Sequence, residues 1–214
     1  PAQFVSKVTD ECGRKGVRAI IVISDGFKER GPEGAARERD LRDITFGHGM
    51  RLVGPNCMGI INTDPAINLN ATFSQTYPPR GNVAFLTQSG GLGLAILDYA
   101  KNLNLGISTF VSVGNRADIS ANDMLQYWEQ DPATRVILLY LESFGNPRTF
   151  ARLARRVSTT KPIIVVKSGS SPAGSRAASS HTGALATSEI ASDALFRQAG
   201  MIRVNTLEEL FSVA

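Results

Sequence analysis

Val83-Ala84-Phe85-Leu86 runs directly into Thr87-Gln88-Ser89-Gly90-Gly91-Leu92-Gly93, and this stretch decides the fold. Four consecutive apolar residues read as a strand buried on both faces. The Ser-Gly-Gly turn reads as its end, and Leu92 to Leu103 as the helix that follows. The alternation continues downstream. Strands are expected at Ile107 to Val113, Val136 to Leu141, Ile163 to Val166 and Met201 to Val204. Helices are expected at Asn122 to Gln130, Pro147 to Val157, Glu189 to Ala199 and from Leu207 onward. Strict alternation of apolar strands with helices predicts an α/β architecture, with a parallel sheet covered on both faces.

Five such strands suit a doubly wound, flavodoxin-like order, 2-1-3-4-5. Upstream, Phe4, Val5, Val8 and Cys12 make a helical stripe that ends at Gly13 and Gly16. Ala19 to Ile23 is a short β-branched run bounded by Ser24-Asp25-Gly26, which reads as another buried parallel strand. Pro32-Glu33 opens a helix that runs to His48, with Gly49 as its stop. Arg51-Leu52-Val53 is a short strand that breaks at Gly54-Pro55-Asn56. Residues 62–82 change character, with Pro65, Pro78, Pro79 and Gly81 among Asn62, Asn68, Asn70 and Asn82. A domain boundary is expected there, near Arg80-Gly81, dividing the chain into residues 1–80 and 81–214.

The 214 residues suffice for one large domain or two small ones. Lys and Arg number 23 against 19 Asp and Glu, interspersed and with few aromatics between them, which excludes a dedicated nucleic-acid binder. No apolar stretch approaches the ~18 residues of a membrane span. The opening Pro1-Ala2-Gln3-Phe4 is neither an initiator Met nor a signal peptide, and Leu207 to Ala214 reads as a helix cut mid-turn. A piece of something longer is therefore expected. Cys12 and Cys57 make no disulfide framework, and two histidines make no zinc cluster, so no metal site and a reducing cytoplasm are expected.

Ligands of an open parallel sheet gather at the carboxyl ends of its strands, near the switch point. Strand one ends in Ser89-Gly90-Gly91 at a helix start, where free N–H groups and the helix dipole favour a phosphate. The same residues also suit a turn built for close strand–helix packing. No Gly-Lys-Ser/Thr exists for a Walker A loop. Thr87 stands where a hydrolase nucleophile elbow needs its first Gly. Gly91-Leu92-Gly93 is followed by Leu94, Ala95 and Ile96, which is no dinucleotide fingerprint.

Strand three ends in Glu142, which is either a surface glutamate or a carboxylate that needs a partner. A histidine Nδ1–H across the crevice would serve, leaving Nε2 free to react. Strand four leads into Ser168 to Thr187, a run of about 20 small polar residues that holds His181, and loops of that length in a compact domain are either functional or disordered. A neutral imidazole near its ordinary pKa of ~6.5 is a competent nucleophile, or simply an exposed loop side chain. In the predicted order, strands one, three and four are successive neighbours, so Ser89 to Gly91, Glu142 and His181 are expected to face one crevice. His48, at a helix C-terminus, is expected to cap carbonyls.

In order and roughly in spacing, Gly54-Pro55-Asn56-Cys57-Met58-Gly59, Gln88-Ser89-Gly90-Gly91, Leu141-Glu142-Ser143 and Ser180-His181-Thr182-Gly183-Ala184 resemble the α-subunit side of the nucleoside-diphosphate-forming acyl-CoA synthetases, the group of succinyl-CoA synthetase. The likeness covers nearly the whole chain. It implies that His181 is transiently phosphorylated, that Glu142 orients it, and that Ser89, Gly90 and Gly91 hold the phosphoryl group. It implies that Ser24, Asp25, Gly26, Asn56 and Cys57 lie beside bound CoA. Residues 1–80 are then the later part of a Rossmann-like CoA-binding domain, followed by a succinyl-CoA synthetase-like flavodoxin domain. The implied reaction is acid + CoA + ATP ⇌ acyl-CoA + ADP + phosphate. ATP, ADP and Mg2+ would be held by an ATP-grasp domain or subunit outside this chain, the other partners being CoA, a small carboxylic acid and further copies in an oligomer. Arg176 is read either as a phosphate ligand or as part of a solvated face.

Two other readings stay open. A similar synthetase-like region is fused to acetyltransferase domains in bacterial protein lysine acetyltransferases, where it would sense CoA or acyl-CoA. A plain flavin- or nucleotide-binding flavodoxin-like domain would show flavin colour.

Overall fold

The computed structural model describes residues 1–168 and 189–214. Helix α1 (Ala2–Arg14), strand β1 (Ala19–Ile21), helix α2 (Pro32–Gly47) and strand β2 (Arg51–Val53) come first. β1 and β2 pair in parallel, as their apolar character predicts. A hairpin follows, β3 (Gly59–Asn62) and β4 (Leu69–Thr72). The alternating run is then β5 (Arg80–Thr87), α3 (Gly90–Asn102), β6 (Ile107–Ser112), α4 (Ala121–Gln130), β7 (Val136–Leu141), α5 (Pro147–Ser158) and β8 (Ile163–Lys167). It ends with α6 (Glu189–Gln198), β9 (Ile202–Val204) and α7 (Leu207–Val213).

Five parallel strands lie in the order β6-β5-β7-β8-β9, which is the predicted 2-1-3-4-5. Side chains alternate across the sheet, as strand geometry requires. Ala84, Leu86, Val111, Ile137, Leu139 and Val165 face α4, α5 and α6, whose Trp128, Phe150 and Phe196 are fully buried. Val83, Phe85, Phe110, Leu138 and Ile164 face the other way, onto Ile96 and Leu97 of α3 and Phe211 of α7. Both faces of each central strand are therefore apolar, and burying them is the main driving force for this architecture.

One feature departs from the expected layout. β3 pairs antiparallel with β6, so the β3–β4 hairpin extends the second sheet to seven strands. Sheet membership therefore changes before residue 59. The Pro- and Asn-rich composition of 62–82 reflects the turn of that hairpin and the lead into β5. In the four-residue antiparallel strand Gly59–Asn62, buried residues alternate with partly exposed ones, so it lacks the continuous apolar run that marks the parallel strands. His48 also departs from expectation: its Nε2 pairs with Asp10 Oδ1 at 2.8 Å instead of capping carbonyls, tying α2 to α1.

Candidate active site

The carboxyl ends of β5, β6 and β7 meet the loop after β2 around a cavity of about 160 Å³. Its walls include Ser89, Gly90 and Gly91 from the start of α3, Glu142 after β7, Asn115 and Arg116 after β6, and Asn56. Ser89 to Gly91 and Glu142 were expected to share a crevice, and they do. His181 and Arg176 lie outside the described residues.

The start of α3 is shaped by its own sequence. Thr87 Oγ1 accepts from the Ser89 amide (3.0 Å) and donates to the Ser89 carbonyl (3.1 Å), closing the turn. Ser89 is the N-cap, its hydroxyl accepting from the Leu92 amide. The Gly90 and Gly91 amides make no hydrogen bond to the described residues, as expected of the first turn of a helix. A Cβ on Gly91 would meet no atom of the described residues within 4 Å, and Gly91 borders the cavity. The arrangement suits an anion.

Gln88, only 6% exposed, locks the opposite wall. Its Oε1 accepts from the amides of Glu142 (2.8 Å) and Ser143 (3.0 Å), and its Nε2 donates to the Ser143 carbonyl (2.8 Å). The turn carrying Glu142 is thus fixed to the residue that precedes the helix cap.

Arg116 enters from the third side. Its backbone adopts φ 59°, and Gly114 just before it has φ 49°. A Cβ on Gly114 would sit 2.2 Å from the Asn56 carbonyl oxygen and 2.4 Å from that of Pro55, so only glycine lets these two loops touch. Arg116 Nη1 donates to the carbonyl and hydroxyl of Ser143, at 3.1 and 2.9 Å. Burial pushes the Arg116 guanidinium down, and the carboxylates of Glu142 and Glu38 pull it back up. Lys167, 8% exposed, stands beside Leu141 in register on the neighbouring strand. Burial pushes its ammonium down as well, Glu142 opposing and Arg203 adding to the effect.

Behind Asn115 lies a polar network that joins the β1–β2 unit to the larger sheet. Asn115 Nδ2 donates to Glu29 Oε2 (2.6 Å) and Glu38 Oε2 (2.8 Å), and Lys28 Nζ pairs with Glu38 (3.1 Å) and donates to the Asn115 carbonyl. Burial raises the Glu29 carboxyl, but hydrogen bonds from Asn115 and from the amides of Gly26 and Phe27 outweigh it, leaving a net lowering.

The residues expected beside CoA gather at the carboxyl ends of β1 and β2, where the Asn56 amide donates to the Ser24 carbonyl (2.9 Å). They do not line one cavity. Asn56 borders the anion cavity, while Ser24 borders an apolar groove of about 420 Å³ between α1 and β1. The Asp25 side chain is engaged by Arg30 (3.0 Å), and the Gly26 amide by Glu29 (2.6 Å). The Cys57 thiol is turned inward toward the Val22 carbonyl (3.4 Å), and burial pushes it up to about 12. That thiol is a packing group, not a nucleophile.

Sequence reading gave no role in this region to Gln88 or Asn115 and missed Arg116, Lys28 and Glu29. Gly114-Asn115-Arg116 carried a turn signal at the end of a strand, and that signal could have flagged Arg116. Nothing local could flag Lys28 or Glu29. Among the described residues, no three or more His, Cys, Asp or Glu are grouped to hold a metal. No helix among them is long and apolar enough to cross a membrane.

Residues 80–214 match the family described as the succinyl-CoA ligase-like flavodoxin domain. The whole chain is 49% identical to 31% of an ADP-forming acetate–CoA ligase of Archaeoglobus fulgidus. It is 44% identical to 46% of the α-subunit of ADP-forming acetate–CoA ligase II of Pyrococcus furiosus. The solved acetyl-coenzyme A synthetase 1 of Candidatus Korarchaeum cryptofilum, in complex with phosphate and ADP, superposes with a TM-score of 0.93 at 43% identity, covering 99% of this chain and 45% of that one. The chain thus spans under half the length of these relatives. With its strand order, its helix-capped cavity and this match in hand, the chain belongs to the family of the succinyl-CoA ligase-like flavodoxin domain.

Proposed function

We propose that this chain carries the phosphoryl-transfer centre of an ADP-forming acyl-CoA ligase, running acid + CoA + ATP ⇌ acyl-CoA + ADP + phosphate. The cavity carries this reading: amides at the start of α3 that bond no described residue border, together with a carboxylate, Glu142, a space that fits a phosphate. The phosphate and ADP bound to the Korarchaeum relative support it.

In the ATP-forming direction, a phosphate oxygen attacks the thioester carbonyl, the C–S bond breaks and CoA leaves as the thiol. The acyl phosphate then passes its phosphoryl group to the imidazole of His181. A P–N bond forms, the P–O bond breaks and the carboxylate departs. Finally ADP takes the phosphoryl group and the imidazole is restored. Glu142 would hold the imidazole by Nδ1–H and leave Nε2 to react. The helix amides would neutralise charge on the phosphoryl oxygens, which is most of what such a transfer requires. Ser24 and Asn56, at the β1–β2 edge, would face CoA, with residues 1–80 as the later part of a Rossmann-like domain. ATP, ADP and their Mg2+ belong to an ATP-grasp partner, and the small carboxylic acid to the shared crevice. The working protein is a cytoplasmic oligomer in this reading.

The test joins the chain to the rest of its protein and supplies radiolabelled ATP with Mg2+. Wild-type protein is expected to take up acid-labile, base-stable label. His181→Asn is expected to take up none, and Glu142→Gln to label about 100-fold more slowly. Equal labelling of His181→Asn would refute the reading.

A further inference from the structure

Arg116 is a half-buried charge whose role the proposed chemistry leaves unassigned. Its guanidinium has five donors in a planar fork and stays protonated at any accessible pH. Among the described residues only Nη1 is committed, to the two oxygens of Ser143. Nε is buried and finds no acceptor, and Nη2 makes no hydrogen bond to the described residues. Arg116 forms no ion pair among them either, although Glu142 and Glu38 lie close enough to be felt. A half-buried cation with idle donors, one of them fully buried, is costly unless an anion completes it. Arg116 also lines the same cavity as Gly90 and Gly91, so two kinds of donor, amide and guanidinium, border one space. Its backbone sits in the left-handed region, which few side chains adopt without cause.

We infer that Arg116 is the cation of the anion site, its free guanidinium edge binding the oxygens of inorganic phosphate and of the transferred phosphoryl group. Ser143 is its positioning residue, since two hydrogen bonds to Nη1 leave the opposite edge of the fork to the cavity. This assignment rests on the phosphoryl-transfer reading above and names the residue that selects phosphate within it.

The experiment uses the complete protein in the direction that consumes acyl-CoA, ADP and inorganic phosphate. Arg116→Gln is expected to raise KM for phosphate about 10-fold or more, as loss of a charge-assisted hydrogen bond does, with KM for acyl-CoA within about twofold. Arg116→Lys keeps the charge without the fork and is expected to fall between. Ser143→Ala removes the hydroxyl contact and keeps the one to the carbonyl, so the guanidinium is held less firmly, and phosphate KM is expected to rise about threefold. It also covers the case in which Arg116→Gln fails to fold. Thermal shift with inorganic phosphate gives a second readout: phosphate should raise the Tm of wild type and not that of Arg116→Gln. A phosphate KM that is unchanged in Arg116→Gln and in Ser143→Ala would overturn the assignment while leaving the phosphoryl-transfer reading intact. So would equal rises for phosphate and acyl-CoA with the phosphate-induced Tm shift retained. A wild-type protein that neither takes up label nor consumes phosphate would remove both.

Discussion

Removing the Gln88 side chain should loosen the wall that carries Glu142. Gln88→Met keeps the length and most of the volume but deletes three hydrogen bonds, two accepted by Oε1 and one donated by Nε2. Each is worth about 1 kcal/mol net, and the freed Glu142 and Ser143 amides and Ser143 carbonyl add their desolvation cost. Water from the adjoining cavity offsets part of that cost, so the expected loss is about 2–3 kcal/mol. At about 2–4 °C per kcal/mol for a chain of this size, Tm should fall by about 4–12 °C. Urea unfolding followed by the fluorescence of the fully buried Trp128 measures the loss. Hydrogen exchange at the Glu142 and Ser143 amides locates it, because those two amides should lose protection before the β5–β7 ladder does. A Gln88→Met protein within about 0.5 kcal/mol of wild type, with both amides still protected, would refute the claim that Gln88 holds this turn.

Gly114→Ala should cost about 3 kcal/mol or more, since its Cβ would meet the backbone oxygens of Asn56 and Pro55 and its φ of 49° penalises any side chain; a Tm within 2–3 °C of wild type, roughly, would contradict this. Thiol labelling should find Cys12 reactive in the native protein and Cys57 reactive only after unfolding, because burial holds the Cys57 thiol protonated up to about 12. Equal native rates would sink that claim. The folded Glu29 carboxyl lies below its unfolded value, so its contribution is complete above the unfolded pKa of ~4.3 and is lost as pH falls through the lower folded value. Urea midpoints for wild type and Glu29→Gln should therefore converge at acid pH, and a gap that does not narrow between about pH 6 and pH 3 would contradict it.

Local periodicity made most of the fold legible. The apolar runs at 83–86, 107–113, 136–141 and 163–166 read as strands because a parallel strand buried on both faces admits little else. The order of the five parallel strands followed from their number and alternation with helices, which suit a doubly wound, flavodoxin-like sheet. The placement of Ser89 to Gly91 opposite Glu142 followed in turn, since both stand at carboxyl ends of adjacent strands. The β3–β4 hairpin escaped because its strands are only four residues long, carry no continuous buried run, and lie in a segment whose prolines and asparagines look like a linker.

Short-range information in the chain therefore determined its elements, their order in the sheet and the edge where chemistry would gather. Only the tertiary structure decided what completes that edge. Asn115 meets Glu29 across 86 residues of sequence, and Gln88 meets Ser143 across 55. Arg116 reaches the cavity because a left-handed backbone and a close approach of two loops turn it there. Contacts of that kind have no period, since they depend on which loop ends the sheet brings side by side and on which buried charges then need a partner.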